Sequence, residues 1–146
     1  MMGDISKDIN SKFPNERLKA LINIKYTANW LNTVGNEFLK PSKISNQQYN
    51  ILRILKGANE AVTVNTVKER MIEKSPNATR LMDKLCDKGL IERTRCENDR
   101  RVVYVKISEK GLKLLDKINV DELGKPMNAI SEEEAKILNT ILDKIR

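Results

Sequence analysis

Asn77, Thr79, Arg80 and Lys84 are the side chains of this chain best placed to do chemistry together. All four lie outside the apolar stripe of the stretch SPNATRLMDKLCDKGL, residues 75–90. Arg80 could donate two parallel hydrogen bonds to a guanine edge, while Asn77 and Thr79 could reach bases or phosphates near the start of a helix. The stripe itself is Ala78, Leu81, Met82 and Leu85, which recur at three- and four-residue steps and so share an inward face. A charged helix face is often merely solvated. What gives this one a meaning is its flanks.

Upstream, Ser75 is expected to cap the helix through its hydroxyl, with Pro76 at the first helical position, where no intrahelical N–H bond is lost. That role explains both residues without any ligand, although both also stand near a nucleic-acid backbone if the helix enters a groove. Downstream, Gly89 closes the helix, and Leu90 to Arg95 and Val102 to Ile107 read as two strands around the charged tip Glu97-Asn98-Asp99-Arg100-Arg101. An arginine at a hairpin tip fits the narrow, electronegative minor groove of A·T-rich DNA, and Arg101 and Arg100 are both candidates. The plain alternative is an exposed hairpin ion pair worth under about 1 kcal/mol. Arg93, Arg95 and Lys106 either contact phosphates or stay solvated.

Charge supports a polyanionic partner. The 146 residues carry a net charge of +7, and between Lys74 and Lys106 nine basic residues face five acidic ones. Histidine is absent, which removes the commonest general base and any triad that needs one. Cys86 and Cys96 are too few for a disulfide framework, and there is no glycine-rich phosphate loop. Neither cofactor, metal nor catalysis is expected. No apolar run approaches 18 residues and Met1-Met2-Gly3-Asp4 lacks a basic-then-apolar leader, so a cytoplasmic protein away from membranes is expected.

The elements that must position these side chains are mostly helical. Residues 1–13 are polar and expected to pack loosely. From Pro14 to about Leu39, Leu21, Ile24, Ala28, Leu31 and Phe38 form a stripe broadened by Leu18, Ile22 and Val34. That helix is too long and too apolar for one lobe to satisfy. Lys40 to Lys43 breaks it, and Ser45 with Gln48 has the form of a capping box before a second helix. Gly57 to Glu60 is the expected turn. Thr63 should open a third helix, with Val64, Val67 and Met71 inward, ending near Lys74. Ser108 caps a helix after the hairpin, with Leu112, Leu115 and Ile118 on one face and an end at Gly124-Lys125-Pro126. A last helix opens with Ser131 to Glu134 and carries Leu138, Ile141, Leu142 and Ile145.

Three segments in this order resemble the MarR family of winged-helix transcriptional regulators. They are Thr79 to Leu85, Lys88 to Arg93, and Asn98-Asp99-Arg100-Arg101 running through Val103 to Ser108 and on to Lys110-Gly111. The resemblance implies that the first helix helps build a dimer interface and that Asp99 and Arg101 stiffen and aim the wing. It also implies a small aromatic effector bound between the dimerisation helices and the DNA-binding lobe, where Tyr26, Trp30 and Tyr49 could line a cavity. Some members sense oxidants with a cysteine near the start of the first helix, and this chain has none there.

The expected fold class is thus α+β, mostly α: a winged helix-turn-helix lobe over residues 45–108, an N-terminal dimerisation helix at 14–39 and C-terminal dimerisation helices at 109–146. The expected function is sequence-specific binding of double-stranded DNA by a homodimer, as a ligand-responsive repressor at a pseudo-palindromic site. A winged helix used for protein assembly without DNA is the rival from another class, and an enzyme is disfavoured for want of a catalytic constellation.

Overall fold

A computed structural model describes residues 3–146. Its centre is helix α3 (Asn46–Ala58), opened by the expected capping box: the Ser45 hydroxyl accepts from the Gln48 N–H at 3.2 Å, and the Gln48 side chain accepts from the Ser45 N–H at 3.0 Å. Ile51, Leu52 and Leu55 are wholly buried. The helix continues through Gly57 and ends on Asn59, whose φ of 54° is a left-handed cap that asparagine tolerates.

A two-residue strand, β1 (Val62–Thr63), follows, and Thr63 caps α4 (Val64–Arg70) by accepting from the Thr66 N–H at 3.1 Å. This helix stops four residues short of Lys74. Met71 turns extended to bury its side chain, and the next N–H, of Ile72, goes to the Asn50 side chain at 2.9 Å instead of to a helical carbonyl. The recognition helix α5 (Ala78–Asp87) likewise starts later than expected. Ser75 does not cap it and Pro76 is not its first residue; the Ser75 hydroxyl accepts from the Asn77 N–H at 3.1 Å in a turn over Pro76–Asn77, and Asn77 takes the cap position. The Ser75 carbonyl also accepts from the Ala78 N–H at 3.3 Å, so Ser75 closes this turn instead of capping a helix at Pro76.

Gly89, with φ of 72°, ends α5 and leads into β2 (Ile91–Arg95), which pairs antiparallel with β3 (Val103–Ile107). β1 joins the other edge of β3, so the sheet order is β1-β3-β2. As the alternation predicts, Val105 and Ile107 are buried while Tyr104 and Lys106 face out. Ser108 caps α6 (Glu109–Lys117) and also donates to the Gly89 carbonyl at 2.6 Å. A Cβ on Gly111 would stand 2.3 Å from the Leu90 carbonyl oxygen, so α6 lies directly against the loop before β2. Gly111 takes the inward position, which leaves Leu112 at the surface, while Leu115 and Ile118 are buried. The chain then breaks at Ile118, well before Gly124, into α7 (Val120–Leu123) and a 3-10 turn, Lys125–Ala129.

The core these elements enclose runs from Leu39 and Ile44 to Leu115 and Ile118, passing both ends of the 45–108 lobe. The flanking helices contribute almost nothing to it. Helix α2 (Glu16–Leu39) buries only Gly35 and Leu39, and α8 (Glu132–Ile145), opened by a Ser131–Glu134 capping box, buries no residue. Leu18, Leu21, Ile24, Tyr26, Trp30 and Leu31 on α2 are exposed, as are Ile137, Leu138, Ile141 and Ile145 on α8. The C-terminal end of α2 is nonetheless joined closely to α3. A Cβ on Gly35 would meet the Asn46 side-chain oxygen at 2.4 Å; the Asn46 N–H donates to the Asn36 side chain at 2.8 Å, and the Asn46 amide to the Asn32 carbonyl at 2.6 Å. The N-terminal segment is more ordered than its polarity suggests. Asp4 caps a short α1 (Ile5–Asp8), Ile5 is buried, and Lys19 of α2 pairs with Asp4 at 3.4 Å. Met1 and Met2 lie outside the described residues.

Candidate nucleic-acid interface

The polar side of α5 faces solvent. Thr79, Arg80 and Lys84 are exposed, as are Asn77 and Pro76 in the turn before the helix, and Ser75 is half-buried. Among the described residues no ion pair or hydrogen bond engages the side chains of Asn77, Thr79, Arg80 or Lys84, so their side-chain donors remain available to a ligand. Behind them Ala78, Met82 and Leu85 anchor the helix in the core. These exposed polar side chains therefore sit on a rigid element.

The wing projects beside this face. The Cys96 N–H donates to the Val102 carbonyl at 2.9 Å and closes the hairpin, and the Val102 N–H to the Asp99 carbonyl at 3.0 Å turns its tip. Within the tip the Asp99 carboxylate accepts from the Arg101 N–H at 3.0 Å and from the Arg101 guanidinium at 3.1 and 3.4 Å. Those bonds hold the Asp99 carboxyl below its ordinary value. The Arg101 side chain is still 92% exposed, so the aspartate aims it without hiding it. Arg100 is exposed too, and its carbonyl accepts from Arg95 at 3.4 Å, which stiffens the same turn.

Between α4, α5 and the wing lies an open groove of about 440 Å³. Lys68, Arg93, Arg95 and Arg101 line it together with Asn65 and Thr79, and no carboxylate does. Lys68 and Asn65 come from α4 and escaped the sequence reading; the cue was a basic residue on the outward side of the helix before the turn. Arg93 also differs from expectation. Its guanidinium is engaged by Asp83 of α5, a hydrogen bond that raises the arginine above its ordinary value. Burial pushes the Cys86 thiol up, so it is an ordinary packed cysteine and no activated nucleophile.

The three residues suggested for an effector cavity are not gathered into one. Tyr49 lines a cleft of about 340 Å³ between α2, α3 and the segment after α4, with Asn32, Asn50, Arg53 and Ile72. Tyr26 and Trp30 lie elsewhere on α2, 40% and 47% exposed. A tyrosine and a tryptophan four residues apart share one side of a helix, and on α2 that side is away from the cleft.

A helix-turn-helix whose second helix presents unpaired donors, beside a basic hairpin, defines a winged-helix DNA-binding protein. Comparison with known proteins agrees: residues 44–103 match the model of the MarR family. Over 131 residues the chain is 25% identical to the HTH-type transcriptional regulator MhqR of Bacillus subtilis, covering 88% of this chain and 90% of that one. It superposes with a TM-score of 0.71 on a mutant MarR of E. coli complexed with operator DNA, at 25% identity over 98% of this chain and 99% of that one. A MarR transcription factor from Planctomyces limnophilus gives 0.70 at 29% identity, covering 90% and 98%. Residues 44–103 thus resemble the MarR winged helix-turn-helix, and the comparisons support a DNA-binding regulator of transcription. Among the described residues no helix is long and apolar enough to cross a membrane.

Proposed function

We propose that this chain acts as a homodimer that binds a pseudo-palindromic promoter site, with one α5 in each of two major grooves and the wing arginines in the flanking minor grooves. The observation that carries the reading is the shared direction of the exposed Asn77–Thr79–Arg80–Lys84 face and the carboxylate-free groove that runs from it to Arg101. Arg80 reads a base edge, Thr79, Asn77 and Lys84 bind bases or phosphates, Ser75 and Pro76 lie close to the backbone, and Asp99 holds Arg101 toward the minor groove, with Arg100 beside it. The unburied apolar stripes of α2 and α8 support two copies joined through their terminal helices, residues 14–39 and 109–146 supplying the contact and 45–108 the reading. Half-sites should then lie about 10 bp, roughly 34 Å, apart.

A dimer seated on its own promoter competes with transcription, which favours repression. The Tyr49 cleft supports response to a small aromatic effector, since it touches α2 on one side and on the other the Ile72–Glu73 segment that leads into the recognition helix.

Footprinting on DNA upstream of the gene, with gel shifts at two salt concentrations, tests this reading. A symmetric footprint and a steep loss of affinity with salt are expected, because each neutralised phosphate adds about 0.9 to the slope of log affinity on log salt. Weak, salt-insensitive binding overturns it and favours a winged helix used for protein assembly.

A further inference from the structure

We propose that Asp83 and Arg93 form a latch that fixes the recognition helix against the wing, so that Arg93 serves as a positioning residue and not as a phosphate contact. The inference rests on the DNA-binding reading above and adds to it the reason why helix and wing can engage two grooves at one fixed separation.

Strand alternation carries the first part of the argument. On β2, Ile91, Arg93 and Arg95 point to one side and Glu92 and Thr94 to the other. Ile91 is buried, and Arg93 pairs across the ladder with the buried Val105, so Arg93 leaves the sheet on the face that α5 covers. There it meets α5 at the Asp83 carboxylate. Arg95, two residues nearer the tip on the same face, reaches the Arg100 carbonyl. Arg93 thus ties the base of the hairpin to the helix and Arg95 ties its tip.

Charge carries the second part. Asp83 does not itself line the basic groove; it follows the groove-lining Met82 and bonds Arg93, which does line it. An unpaired carboxylate so close to the groove would repel phosphates. Arg93 neutralises it, and in doing so loses its own charge as an attractor of DNA. Exposed pairs of this kind add little to folding stability, so their effect belongs in binding geometry.

The two roles predict opposite signs for one substitution. If Arg93 binds phosphate and Asp83 merely repels DNA, then D83N tightens binding at every sequence. The latch requires D83N to weaken binding to the footprinted site about tenfold, R93M to weaken it similarly with no change in salt slope, and the charge swap D83R/R93D to recover most of the loss. In the free protein, D83N should also raise amide hydrogen exchange at Thr94 and Tyr104, the ladder pair next to Arg93. Tighter binding by D83N, a slope lowered by about 0.9 in R93M, or exchange at those amides unchanged in D83N overturns the proposal. The exchange measurement needs no DNA, so it separates failure of the latch from failure of the wild-type protein to bind a duplex.

Discussion

The lobe and the terminal helices are built from similar residues put to opposite use. Between Leu39 and Ile118 most leucines, isoleucines and valines pack into one core, with Ile72 an exposed exception; on α2 and α8 the same residue types stand at the surface, Leu21 at 47% and Ile141 at 51% exposure. Fully burying such a side chain stabilises by about 1.5–3 kcal/mol. A lone chain collects that stabilisation in the lobe and forgoes it in the helices. Most of that gain is made inside the core from Leu39 to Ile118, and the exposed stripes of α2 and α8 gain it only where something covers them.

That contrast can be broken from either side. The largest effect is expected in the lobe: Met82→Ala empties a fully buried site beneath the recognition helix and should cost about 2–5 kcal/mol in a denaturant titration. Next comes Ile141→Glu on α8, which should change the stability of the isolated chain by less than about 0.5 kcal/mol, as at other surface sites. It should nevertheless weaken self-association by about 100-fold, because two carboxylates would be buried across a symmetric contact. Sedimentation at micromolar concentration checks it, and an unchanged mass would remove α8 from the interface.

Smaller effects sharpen the division of labour inside the lobe. Arg80→Ala should relax discrimination at one base position by about 1–3 kcal/mol, whereas Arg101→Ala should weaken all duplexes evenly and lower the salt slope by about 1; a panel of single-base operator variants in gel shifts distinguishes the two. The smallest concerns acid. Asp99 titrates below its ordinary value because Arg101 bonds its charged form. The stabilisation is thus present above the ordinary aspartate value near 3.9 and is lost only as pH falls through the lowered one. The Arg101 side-chain resonance should therefore hold its position down to about pH 4 and move below it, and D99N should abolish that step.

Much of this arrangement was legible in the sequence wherever chemistry is local. The Ser45–Gln48 and Ser131–Glu134 boxes, the Thr63 and Ser108 caps and the β3 alternation all depend on neighbours within four residues, and all occur as expected. Apart from the local Ser75–Asn77 turn that delays the start of α5, what escaped depends on distant partners. β1 is two residues long and exists because β3, some forty residues later, pairs with it. The early end of α4 requires the Asn50 side chain to claim the Ile72 N–H. The reading face of α5 was visible as unpaired polar residues, but the ion pair between Asp83 and Arg93 spans a glycine turn, so helical periodicity could not show it. Tyr26, Trp30 and Tyr49 looked alike as aromatics, and only the direction of α2 separates them.

The junction at Gly35 bears on how such a regulator measures its target. With no side chain between α2 and α3, and three asparagines stitching the crossing, there is little slack through which the lobe could swing relative to α2, the helix that the proposed dimer would share. Inserting one base pair between half-sites shifts the second by about 3.4 Å and turns it by about 35° around the duplex. A hinge would absorb that change and a stiff joint does not, so operators of altered length should be rejected even when every contacted base is preserved.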